Sequence, residues 1–326
     1  MMNIRRYTVD DKARWDTFVA ASRNSTFLFL RNYMDYHRHR FIDHSLLCFS
    51  EKGRLVAVLP ANESRDEEGC RRLVSHQGLT YGGLVLSERT SASDVLTTMK
   101  AIVEYAQKED FSYILYKALP TIYHRLPTQE DLYALFRLGA GLEACNLSCT
   151  VSLQATPPPP MERRRQRGMR KALEKGYRTE RGDLHEFWPI MVNNLQTRYH
   201  ALPAHSLEEM QYLQSQFPDQ IVCTIARDDR GTAQAGAVVF LTTCAVHVQY
   251  GHATPQGKED GALDLLYTNL MDRYRRQGFH YFDFGTSNEQ GGRILNGSLI
   301  AQKEGFGGRG VICPTYKIVS TLNEKT

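Results

Sequence analysis

Apolar residues recur along this chain in two rhythms, and the order of the rhythms repeats. In LLCFSEKGRLVAVLPA (46–61) two short apolar runs flank a Glu51-Lys52-Gly53 turn, the pattern of a β-hairpin. In 93–110, Val95, Met99, Ile102, Val103 and Ala106 are spaced to form one face of a helix, and FSYILYK (111–117) then reads as a strand. A second set follows. IVCTIARDDRGTAQAGAVVFL (221–241) reads as a hairpin with a longer turn, and in GALDLLYTNLMDRYRRQG (261–278) Leu263, Leu266, Tyr267, Leu270, Met271 and Tyr274 share a helical face ahead of the strand FHYFDFG (279–285). Cys48 to Cys223 is an offset of 175 and Phe111 to Phe279 one of 168, so one duplicated unit with modest loop drift accounts for both sets.

Between the sets stand Pro157 to Pro160, which continue neither a helix nor a central strand. The expected organisation is therefore two domains, 1–155 and 156–326, of α+β class, each a mixed, mostly antiparallel sheet flanked by helices. A length of 326 residues, 42% hydrophobic and 23% charged, suffices for two cores. The start, MMNIRRYTVDDKARW, carries charges where a signal peptide is apolar, and no run is long enough for a membrane span, so a cytoplasmic protein is expected. Seven cysteines without a CxxC pair predict neither a disulfide framework nor a zinc site, and no bound metal or cofactor is expected.

The net charge of +4 is unevenly placed. Segment 161–181 holds nine Lys/Arg against three Glu, or +6, which leaves −2 for the rest of the chain. On a helix, Arg163, Arg167 and Arg170 fall on one side and Met169, Ala172 and Leu173 on the other, the pattern of a packed helix with a charged outer face. That face meets tRNA, a nucleotide-linked sugar, an anionic lipid carrier or only water.

Two strands carry candidate chemistry. In YFDFG, alternation puts Tyr281 and Asp283 on one face, so Asp283 is read either as a general base or ligand-orienting acceptor, or as a structural carboxylate bonding the next turn. In HVQYGH, strict alternation groups His247, Gln249 and Gly251 against Val248, Tyr250 and His252. Tyr250 is expected to line a cleft, and His252 or His247 to accept a proton. Asn296, Arg309 and Arg198 supply polar groups near loop ends, and the two arginines suit a carboxylate or phosphate.

Two copies of a hairpin-helix-strand unit joined by a basic helix resemble the Fem-type peptidoglycan-bridge aminoacyltransferases, which are tandem GNAT (GCN5-related N-acetyltransferase) domains. The stretch 247–310 is similar to their signature half: an aromatic strand, a helix opened by glycine, Tyr-Phe-Asp-Phe-Gly (281–285), Leu-Asn-x-x-Leu (295–299) and Gln-Lys-x-Gly-Phe-Gly-x-Arg (302–309). RRQRGMRKALEKGY (164–177) resembles the basic helix before their second domain, and KALPTIYHRLPTQEDLYALF (117–136) its first-domain counterpart, so the resemblance covers about the whole chain. It implies an acyltransferase acting on an amine acceptor, such as an amino sugar or cell-envelope precursor, with the site mainly in the second domain. It gives Lys303 the role of holding substrate phosphate or developing negative charge, and Lys117 and Tyr123 a part in binding the acceptor. The donor it implies is aminoacyl-tRNA or acyl-CoA. In QGKEDGALD (256–264) Gly261 is in register with the glycine turn of CoA-using GNAT proteins, while Leu263 replaces a small residue and Glu259 and Asp260 oppose phosphate. The rival readings are an aminoacyl-tRNA-dependent peptidoglycan-precursor aminoacyltransferase and a non-catalytic ligand-binding module with a GNAT fold. Oligomeric state is left open.

Overall fold

The computed structural model describes residues 2–319, apart from the side chains of Arg198 and Tyr199. Two compact units emerge: 1–146 with 290–293 and 312–326, and 147–289 with 294–311. They are not the contiguous halves expected from the proline run. Residues 147–155 belong to the second unit and 312–319 to the first, because each segment is a strand whose hydrogen-bonding partners lie there.

The first unit contains β1 (Asn3–Arg6), α1 (Lys12–Ala20), α2 (Arg31–Met34), β2 (Ile42–Asp43), β3 (Leu46–Phe49), β4 (Leu55–Leu59), β5 (Asn62–Arg65), β6 (Arg71–Ser75), β7 (Val85–Leu86), α3 (Ala92–Lys108), β8 (Tyr113–Lys117), α4 (Glu130–Arg137) and the start of β9 (Gly141–Ser152). The expected hairpin is β3/β4, with Leu46 opposite Leu59. It lies in the sheet β1-β3-β4-β7. Helix α3 starts at a capping box in which Ser91 and Asp94 satisfy each other's backbone N–H, and it buries the predicted face of Val95, Met99, Ile102, Val103 and Ala106. Each such side chain stabilises by about 1.5–3 kcal/mol when fully buried, alanine by less.

The second unit contains α5 (Arg163–Glu174), β10 (Arg178–Arg181), α6 (Leu184–Tyr199), α7 (Leu207–Gln216), β11 (Ile221–Arg227), β12 (Ala233–Leu241), β13 (Ala245–Ala253), α8 (Pro255–Asp260), α9 (Ala262–Arg276), β14 (Tyr281–Thr286), β15 (Asn288–Glu289), β16 (Ile294–Leu295), α10 (Gly297–Glu304) and the start of β17 (Arg309–Val319). Its sheet runs β10-β11-β12-β13-β14-β9. Only β13 and β14 in this run are parallel. Helix α9 buries Leu266, Tyr267, Leu270, Met271 and Tyr274 as predicted, while Leu263 is half-buried. On α5 only Ala172 is buried, and Leu173 points to solvent instead of joining an apolar stripe.

The last strand of each sequence repeat completes the other unit. Residues 148–152 of β9 pair with β14, and residues 315–319 of β17 pair with β8. No helix among the described residues is long and apolar enough to cross a membrane.

Candidate active site

The site forms where β13 and β14 stop pairing. Their parallel ladder covers only Ala245↔Tyr281, Val246↔Phe282 and His247↔Asp283, although β13 runs on to Ala253. Both strands are irregular just beyond that point. On β13, Tyr250 and Val248 face consecutive residues Val238 and Val239 of β12, so Gln249 is an extra, bulged residue. On β14, the register to β9 shifts between Asp283 and Thr286, and Gly285 has a φ of 73°, a left-handed conformation that favours glycine. A bulge bends its strand, and two on facing strands part them.

The β13 bulge corrects the grouping drawn from strict alternation. Partners directly across a ladder share a face, and His247 opposes Phe240, Tyr250 opposes Val238 and His252 opposes Gly236. His247, Tyr250 and His252 therefore lie on one face. Gly251 lies on the other, where a Cβ would stand 1.9 Å from the Tyr267 hydroxyl of α9.

Across that first face a polar row crosses three strands. Asp283 is 2% exposed. Its Oδ1 accepts hydrogen bonds from Ser148 Oγ (2.5 Å) and Thr150 Oγ1 (2.8 Å), and its Oδ2 lies 2.8 Å from His247 Nδ1. With a carboxylate as acceptor, the proton of a neutral imidazole sits on Nδ1, which leaves Nε2 as the basic nitrogen. Asp283 is thus enclosed and orients a histidine; a general-base role for the carboxylate itself does not fit this burial. Of the two histidines offered by the sequence as proton acceptors, His247 is the one that the structure sets beside Asp283. The signal was its register beside Asp283, with the polar alternation of Ser148 and Thr150 in β9.

Lys303 occupies the last turn of α10, a helix capped by Asn296, whose Oδ1 accepts from Leu299 N at 3.0 Å. Its Nζ donates to Gly285 O (2.9 Å) and Thr286 O (2.7 Å), just past Asp283, the last residue of β14 paired with β13. Burial lowers its ammonium to about 8, with Asp283 opposing the shift. An ammonium has three donors, and these two carbonyls engage two of them. Gly285 joins the groups: a Cβ there would stand 3.4 Å from His247 Cε1. Nearby Cys149 is buried, which pushes its thiol up to about 11 and makes it a poor nucleophile.

The other residues chosen from sequence are dispersed. The Tyr250 hydroxyl lies 2.7 Å from His205 Nδ1, and its ring meets Trp188 edge-on at 5.8 Å, so it packs β13 against α6 and the segment before α7. His252 is half-buried, and burial lowers its imidazole to about 4, which keeps it neutral. Arg309 is exposed and donates to Gly308 O at 2.6 Å. The Arg198 side chain lies outside the described residues. Lys117 and Tyr123 belong to the first unit: Tyr123 is buried 4.6 Å from the Tyr81 ring, and Lys117 Nζ donates to His76 O (3.0 Å) and Leu79 O.

Residues 161–290 match the model of the acetyltransferase (GNAT) domain family. Among solved structures, that of FemX superposes with a TM-score of 0.68 at 12% identity, covering 97% of each chain. The C-terminal domain of a putative lysylphosphatidylglycerol synthetase from Agrobacterium fabrum gives 0.57 at 13% identity, covering 96% of this chain and 93% of that one. A tandem GNAT protein from the clavulanic acid biosynthesis pathway gives 0.52 at 11%, covering 99% and 100%. No curated protein matches the chain in sequence. Residues 161–290 thus match the acetyltransferase (GNAT) domain model, and the chain as a whole has a mixed α+β, GNAT-like fold similar to that of the tandem GNAT protein.

Proposed function

We propose that the chain is an N-acyltransferase that moves an acyl group from an activated donor to an amine acceptor where β13 and β14 part. The observation that carries this reading is the convergence of Lys303 and the His247–Asp283 pair on Gly285. An amide forms when a neutral amine attacks the acyl carbonyl, so the reaction needs a proton acceptor for the amine and a positive group for the oxygen that becomes negative. In this reading His247 takes the proton on Nε2, and Asp283 holds the ring in place through Nδ1. The third Lys303 N–H donates to the oxyanion. Collapse of the tetrahedral species breaks the bond to the leaving group, which departs with the proton from His247.

Lys117 plays an indirect part in this scheme. Its Nζ donates to two carbonyls of the 76–79 segment, and Gly82 packs against Ser75 in the space beyond β6 and β8, so in this scheme Lys117 supports that segment. The basic helix keeps Arg163, Arg164, Arg167 and Arg170 exposed, which favours aminoacyl-tRNA among donors of high negative charge.

The test is transfer followed by mass spectrometry, with amino sugars and amino acids as acceptors and aminoacyl-tRNA and acyl-CoA as donors. The expected result is an amide product whose rate falls about 10²–10⁴-fold in His247→Gln. A full rate in His247→Gln overturns the assignment of the base. Ligand binding without transfer across the whole panel overturns the enzymatic reading in favour of a binding module.

A further inference from the structure

The beginning of α9 is where a GNAT-type domain would receive the diphosphate of coenzyme A, because the first N–H groups of a helix attract phosphate. The residues here do not fit that group. Gly168, midway along α5, lies directly on Gly261: a Cβ on Gly261 would stand 2.2 Å from Gly168 O, and one on Gly168 would stand 2.1 Å from Asp264 Oδ2. Only a pair of glycines lets the two backbones meet so closely, and Gly261 also adopts a φ of +79°. The glycine that is in register with a CoA turn therefore has another use here, the crossing of α5 over the start of α9.

The charges at this turn belong to the chain. Asp264, in the first turn of α9, lies 2.9 Å from Arg165 Nη1. Asp260 accepts from Lys175, from the Tyr177 hydroxyl (3.0 Å) and from Gln256 (2.8 Å), with Lys171 Nζ 3.7 Å away. Lys171 also donates to Glu259 O at 2.8 Å. The ion pair with Lys175 holds the Asp260 carboxyl down at about 2, so it is ionised at neutral pH. A diphosphate entering here would have to displace α5 and then sit against two carboxylates.

We infer that α5, Asp260 and Asp264 occupy the phosphate-binding end of α9, and that the acyl donor of this chain is not a coenzyme A thioester. The inference takes its candidate donor from the acyltransferase reading, but the closure of the turn is independent of that reading.

Amide hydrogen exchange of the peptides covering 258–266 and 163–175, with and without millimolar CoA or acetyl-CoA, is the direct test. Unchanged exchange in both peptides is expected, together with exchange at least about tenfold faster in 163–175 for Asp260→Asn, a loss of about 1.4 kcal/mol of local stability. Saturable protection of 261–265 by CoA overturns the closure, and acetyl transfer from acetyl-CoA overturns the statement about the donor. If aminoacyl-tRNA and every other donor also fail, the acyltransferase reading falls, and the exchange result still decides whether the turn is closed.

Discussion

Each unit contains a parallel strand pair that ends beside a desolvated lysine, and the two ends are finished differently. In the first unit β6 and β8 pair from Arg72↔Tyr113 to Ser75↔Tyr116, and Lys117 follows immediately. The space beyond is filled by the chain itself: Gly82 packs so tightly that a Cβ there would overlap Ser75 O, and Lys117 Nζ binds the carbonyls of His76 and Leu79. In the second unit the ladder stops after His247↔Asp283, two bulges part the strands, and Lys303 binds the carbonyls of Gly285 and Thr286. Burial brings both ammonium groups to about 8. A lowered lysine pKa is thus no mark of chemistry in itself. The oriented histidine and the parted strands set Lys303 apart.

The comparison breaks most drastically if β17 is removed. Deleting residues 312–326 strips β8 of its neighbour on one side. Loss of the cooperative unfolding transition of the first unit is expected in circular dichroism and calorimetry, whereas a truncated chain that melts as the whole one does would show that β8 needs no such neighbour. Next in size is Lys303→Met. It is expected to lower turnover about 10²–10³-fold, the usual effect of losing one oxyanion donor. Lys117→Met should affect stability rather than turnover, by about 1–3 kcal/mol in urea unfolding, because it leaves buried carbonyls without a donor. If both variants lose turnover alike with unchanged stability, the distinction between the two ends fails.

Two pH effects are smaller. If Lys303 must be charged to act, the transfer rate should fall as pH rises through about 8. The sign for folding is opposite. A folded-state pKa below the ordinary lysine value means that the native protein binds fewer protons than the unfolded chain between about 8 and 10.5, so this group adds stability as pH rises across that window. Lys303→Met should remove both slopes. Asp260 acts at the acid end: its carboxyl is depressed to about 2, so its contribution is complete above the ordinary aspartate range and fades as pH falls towards 2. Acid unfolding of Asp260→Asn should lack that component.

Much of this architecture can be read from residue order. The helical faces of α3 and α9 follow from spacing, and so do both hairpins, because burial on one face imposes a period on the sequence. Asp283 stands out because a charged group in an aromatic strand needs a reason to be there, and Lys303 through the likeness of 302–309 to the signature stretch of the Fem-type enzymes. The Gln249 bulge was not legible: an inserted residue reverses the facing of all that follows, and no side-chain type announces it. The same holds for Gly168, whose partner Gly261 lies 93 positions further along the sequence. The final strands were missed for another reason. Pairing partners far apart in sequence leave no local periodicity, and the strands do not respect the boundary that the proline run suggests.

The crossing of the final strands has a consequence for biosynthesis. A ribosome that has finished the first 146 residues has released a sheet with the flank of β8 still bare, and the strand that covers it emerges only after the second unit has been made. Throughout translation of the second unit, that flank presents unpaired N–H and C=O groups to other nascent chains. Expression of the first half alone would make this transient hazard permanent.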